Sequence, residues 1–172
     1  MTIAPDDDAR TTAQGLFNYA DSYLASAHTL LVAETDVVFP EPPVRALLYH
    51  GVELHLKAFL RCAGVSVGEL RDYGHKFSRL LPAVRSRGLS LDHESREVLL
   101  FGQRTGDVMD ARYIRTGYRR WYPTAQLGRC AAKVRQAVRV HPLRAAAGVI
   151  LRGQATGVVD DGCERAWLAD PA

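Results

Sequence analysis

Cysteine, lysine, methionine and tryptophan are all scarce in this chain of 172 residues. It has three cysteines (Cys62, Cys130 and Cys163), two methionines, two tryptophans, and three lysines beside nineteen arginines. An odd cysteine count without a C-x-x-C pair excludes a disulfide framework and a cysteine-rich zinc module, and fits a reducing compartment. No apolar run approaches the ~20 residues that a membrane-spanning helix needs. Residues 1–8 are acidic where a secretory leader is basic and then apolar, so a cytoplasmic location and no membrane contact are expected. The common catalytic fingerprints are missing: no Gly-rich phosphate loop ahead of Lys-Ser/Thr, no G-x-S-x-G, no H-E-x-x-H. No stretch between residues 10 and 142 alternates as a strand does, and there is no internal repeat. The chain is 47% hydrophobic and 24% charged, ordinary values for a globular protein, and its length suits one domain with its own core.

Apolar residues recur instead at helical spacing, which predicts an all-α fold. Helices are expected over 13–32, with Thr12 as N-cap, and over 43–63, led by Pro42 or Pro43 and stopped by Gly64. Three more are expected over 75–87, 92–103 and 124–141, the last capped by Thr124 after Pro123. The second helix sets Val44, Leu47, Leu48, Gly51, Leu54, Ala58, Phe59 and Cys62 on one face. Leu47, Leu54, Phe59, Leu80, Val98, Leu127 and Val134 are the expected core. Short connections favour one antiparallel up-down bundle of four to five helices, spanning residues 10–142. Residues 143–172 read as a C-terminal extension: a prolonged helix, or a small hairpin of 149–151 with 158–159, then a tail anchored by Trp167.

Charge is distributed unevenly. Residues 1–60 carry eight acids and three bases, whereas residues 61–172 carry nineteen bases and eleven acids. From Arg104 to Arg144 there are ten bases and only two acids, Asp107 and Asp110. An arginine-rich half suits a polyanion or nucleotide partner, because the guanidinium fork matches phosphate; the competing reading is a solvated basic surface. Within it, residues 110–123 interleave Arg112, Arg115, Arg119 and Arg120 with Tyr113, Tyr118, Trp121 and Tyr122. Forks for phosphate beside aromatic faces for bases make the composition of a nucleic-acid or nucleotide contact, with Arg112, Arg115, Tyr118 and Arg119 as the candidate residues. The alternative is a loop whose rings pack on the helices and whose arginines are solvated. A second polar face comprises His50, Glu53, Lys57 and Arg61 at helical spacing, with His75 at the start of the third helix. A metal reading would use His50 and Glu53, but Lys57 competes for the carboxylate, so a structural Glu–Lys pair is expected and neither a metal nor a cofactor. His55 falls on the apolar face and reads as a hydrogen-bonded core histidine.

The order of these features resembles the HEPN superfamily (higher eukaryotes and prokaryotes nucleotide-binding). The resemblance rests on Tyr49 to Leu60 with its Glu53-x-x-Leu56-Lys57, on Gly74-His75-Lys76-Phe77-Ser78-Arg79-Leu80-Leu81, and on Arg112-Tyr113 before a last long helix. It covers about residues 13–141. It implies an up-down bundle, a homodimer, and binding of a nucleotide or RNA, in some members within toxin–antitoxin or defence systems and beside a nucleotidyltransferase-type partner. Ribonuclease members, which need no metal, carry an Arg, then four to six residues, then a His near the start of the last helix. Here Arg112 is followed by Tyr118 in that place. Arg45–His50, Arg87–His93 and Arg135–His141 have the spacing, but about two such matches arise by chance in a chain this rich in arginine. The reading that results is a non-catalytic nucleotide- or RNA-binding bundle. The alternatives are a metal-independent endoribonuclease and a dimeric protein-interaction module. Small residues on the last helix (Ala131, Ala132, Ala137) are the expected close-approach surface of the homodimer.

Overall fold

A computed structural model describes residues 7–34, 36–110 and 120–140. Among the described residues the protein is all-helical. Five longer helices occupy α2 (Ala13–Val32), α3 (Glu41–Cys62), α5 (Phe77–Arg85), α6 (His93–Thr105) and α8 (Thr124–Val140). Three short ones are α1 (Asp7–Arg10), α4 (Val67–Tyr73) and α7 (Asp107–Asp110). The extension beyond residue 142 lies outside the described residues.

Local chemistry sets most of the ends. Thr12 caps α2 by accepting from the Gly15 N–H at 2.9 Å, and Asp92 caps α6 by accepting from the Ser95 N–H at 2.7 Å. Helix α3 starts at Glu41 rather than 43, because prolines in the first turn cost no backbone bond. Thr124 is the first residue of α8 and not its cap. Gln126 and Leu127 N–H both donate to the Pro123 carbonyl, and the Thr124 hydroxyl is used elsewhere. The sequence reading did not include α4, although Ser66 and Glu69 form a reciprocal capping box at its start.

Helix α3 is the axis of the molecule, packing against α2, α4, α5, α7 and α8. Its contact with α2 is the most extensive of all and depends on Gly51. A Cβ there would come within 2.7 Å of Leu24 Cδ2 and 3.3 Å of the Ala20 carbonyl oxygen, so adding one would push Leu24 aside and crowd the α2 backbone. Because neighbours enclose α3, more than one face is buried: Val52, Glu53, His55 and Leu56 join Val44, Leu48, Ala58 and Phe59. The expected core therefore needs correction. Phe59, Leu80, Val98, Leu127 and Val134 are buried, but Leu47 and Leu54 are only half-buried and Cys62 is exposed. At the end of α2, Leu30 and Leu31 stay exposed beside an open hollow that Pro40 and Val44 also line. On α8, Ala131 and Ala132 are buried within the chain and Ala137 packs, partly buried, on its core. Ala131 and Ala132 are thus spent inside the chain rather than offered to a second copy, while Ala137 is only partly covered.

Candidate functional site

A buried arginine organises the region around the arginine-rich segment. Arg45, on α3, is 1% exposed. A buried guanidinium is costly unless its donors are matched, and here they are. Nε donates to Asp107 Oδ1 at 3.2 Å and Nη2 to Asp107 Oδ2, a bidentate pair with the start of α7. Nη1 donates to the Tyr122 carbonyl at 2.6 Å and to Thr124 Oγ1 at 3.2 Å. Thr124 in turn donates to Glu41 Oε2 at 2.9 Å. Tyr49 donates to Asp107 Oδ2 at 2.7 Å, and burial, with the Asp107 charge beside it, pushes the phenol pKa far up, so it stays a donor. The Trp121 ring lies over the guanidinium, 5.3 Å from its centroid, and Tyr122 meets Phe101 edge-to-face at 5.0 Å.

Asp107 precedes the stretch 111–119, and Tyr122 and Thr124 follow it. One side chain of α3 thus holds both flanks of that stretch to a fixed base. Arg112, Arg115, Tyr118 and Arg119 themselves lie outside the described residues, as does the side chain of Asp110. Of their neighbours, Arg120 is exposed and Trp121 is 48% exposed. Arg45 was missed as a site residue by sequence reading. The available signal was a base among apolar neighbours on a core helix, Val44-Arg45 ahead of Leu47-Leu48.

The second polar face is brought together, with one member removed. Glu53 is 3% exposed, and its Oε1 accepts from Lys57 Nζ at 2.7 Å. Its Oε2 lies 2.6 Å from His75 Nδ1 and 4.0 Å from His50 Nδ1. The His75 side chain is 45% exposed. The two motif segments, Glu53-x-x-Leu56-Lys57 and Gly74-His75, thus meet at one carboxylate. With Nδ1 held by Glu53, the ring's other nitrogen, Nε2, faces away from that carboxylate. Arg61 does not join. It donates to the carbonyls of Thr11, Asp8 and Val65, tying the end of α3 to the start of the chain.

His55 is a core histidine, as expected. Its Nε2 lies 2.9 Å from Asp21 Oδ1, and Arg135 of α8 clamps the same carboxylate through Nε at 2.8 Å and Nη2 at 3.1 Å. Burial holds the imidazole below its ordinary pKa against the pull of Asp21, so the neutral ring donates to the carboxylate and Arg135 supplies the charge. This network joins α2, α3 and α8.

No protein-family model, curated protein or solved structure matches this chain.

Proposed function

We propose that this protein is a HEPN-like helical bundle that binds a nucleotide or RNA by its phosphates, through Arg112, Arg115 and Arg119 with Tyr118 as an aromatic or hydrogen-bonding contact. The observation that carries the proposal is the Arg45 clamp. Ordering a binding loop costs conformational entropy, and pinning both of its ends in advance lowers that cost. A buried bidentate pair, a carbonyl acceptor and a tyrosine are spent on fixing the base of an arginine-rich stretch. In the same reading the helices form one antiparallel up-down bundle. Tyr23 opposite His50, and Asp21 opposite His55, fit an antiparallel α2–α3 pair; Ser95 opposite Cys130 and Glu94 opposite Lys133 fit the same for α6 and α8. The test is an Arg112→Ala, Arg115→Ala variant titrated with single-stranded RNA. Weaker binding with a shallower dependence on salt supports the proposal, and a folded variant with unchanged affinity and salt slope overturns it.

A second reading, a metal-independent endoribonuclease, is favoured by the exposed His75 held by buried Glu53. In it His75 takes the proton of a ribose 2′-hydroxyl as that oxygen attacks the adjacent phosphorus; the P–O5′ bond breaks to leave a 2′,3′-cyclic phosphate, and the departing 5′-oxygen takes a proton from water. Cleavage of RNA in the presence of a chelator, lost in His75→Gln, supports this reading; RNA left intact by the parent protein removes it.

A further inference from the structure

We infer that the cleft between α5 and α6 is a binding site for a small amphipathic anion, a carboxylate carried on an aliphatic chain. The cleft has a volume of about 370 Å³, within the size range of small-molecule sites. Leu81, Leu89, Leu91 and Leu100 form its walls, and Arg85 and Arg96 stand among them. None of the residues of the Arg45 clamp or of the Glu53 cluster lines it, so this site stands or falls apart from the phosphate-binding reading.

Two observations point to the ligand. The first is Arg96 Nε, which is buried and has no hydrogen-bond partner among the described residues. Buried donors are nearly always paired, since an unpaired one has given up its bond to water with nothing in return. Among the described residues no carboxylate lies within ion-pair distance of Arg96 or of Arg85, although Arg45, Arg61, Arg104 and Arg135 all have one. An acceptor bound in the cleft would satisfy the guanidinium, and an anion suits two unneutralised arginines better than a neutral acceptor does. The second is the lining. Beside the two arginines, Ser78 and Ser90, the lining is aliphatic (four leucines, Val84 and Pro82) and holds no aromatic ring on which a base would stack, which favours an alkyl body over a nucleobase.

The experiment is calorimetric titration of the full chain with decanoate, kept below micelle-forming concentration, beside decanol as the uncharged control. Saturable binding of one decanoate per chain is expected, with decanol at least about tenfold weaker, a difference of about 1.4 kcal/mol. Arg96→Met, which keeps the bulk of the side chain, is expected to bring decanoate down to the affinity of decanol. Should that variant fail to fold, Arg85→Gln at the exposed rim reads the same head-group contact by a smaller drop in affinity. Absence of saturable decanoate binding, equal binding of decanol, or decanoate affinity unchanged in the folded variant overturns the site.

Discussion

Arg45 and His55 are the two side chains at which burial and charge meet most sharply. Removing the guanidinium by Arg45→Met leaves Asp107 charged and buried, which is expected to cost about 3–5 kcal/mol. Adding Asp107→Leu to that variant removes the stranded charge, and the urea midpoint is expected to recover in part. A double variant less stable than Arg45→Met alone would show that Asp107 is not what the arginine compensates. His55 sets the response to pH. Burial depresses its pKa below 6.5, with the bond to Asp21 opposing. Asp21 also stands below its ordinary 3.8: burial pushes it up, and the bonds from His55 and Arg135 more than offset that. Both groups bind protons more readily in the unfolded chain, so their contribution is full above the ordinary histidine value. It falls as pH drops from there through the folded pKa of His55, and Asp21 adds a second loss at lower pH still. Urea midpoints at about pH 7.5 and about pH 5.5 are expected to differ in the parent and to differ less in His55→Gln. An equal difference in both would place the titrating group elsewhere.

Helix ends and helix crossings carry the next level. Ser66-x-x-Glu69 is legible as a capping box, yet α4 follows it for only seven residues, too few for an apolar stripe to stand out. Helix α3 misled in the opposite way. A one-sided stripe predicts a surface helix, but one enclosed by five neighbours buries more than one face, and Leu54, expected inside, lies half-covered. Crossings show what spacing does not. A Cβ on Gly102 of α6 would overlap the Tyr49 side chain, whose hydroxyl donates to Asp107. Gly102→Ala is therefore expected to cost about 1–3 kcal/mol by overpacking and to disturb the Arg45 clamp with it. Thermal unfolding measures the first effect and RNA affinity the second; a variant with the parent's melting temperature would mean that Tyr49 moves aside freely. Phe59, 2% exposed on α3, is a simpler case, and Phe59→Ala is expected to lose about 3–5 kcal/mol in chemical denaturation.

At the scale of the whole molecule, exposed apolar and charged surface sets what the protein can meet. Val32, Val37, Val38 and Phe39 are more than half exposed around the connection from α2 to α3. If two copies associate, the exposed run Val37-Val38-Phe39, rather than the buried Ala131 and Ala132 of α8, is where they are expected to meet. Light scattering of the parent is expected to give twice the chain mass, and Phe39→Asp to shift it toward the monomer. A parent that is monomeric at micromolar concentration overturns the dimer. RNA affinity tests the charge asymmetry. Each arginine contact to phosphate that is lost is expected to flatten the salt slope by about 0.7 on a single strand.

The helical class, the approximate spans of the five longer helices, and the pairing of Glu53 with Lys57 were all legible in the sequence. Each rests on interactions between residues three or four positions apart or on the caps next to them, and such local terms are written in order along the chain. Glu53 meeting His75 was half legible: both were singled out, and the fold supplied the contact across 22 positions. What only the tertiary structure decided is which charges are buried. Arg45 finds Asp107 and Tyr122 from 62 and 77 positions away, and Arg135 finds Asp21 from 114. A guanidinium is hydrated and unremarkable in the unfolded chain. Packing removes its water, and which carboxylate replaces that water depends on how helices distant in sequence come to lie side by side.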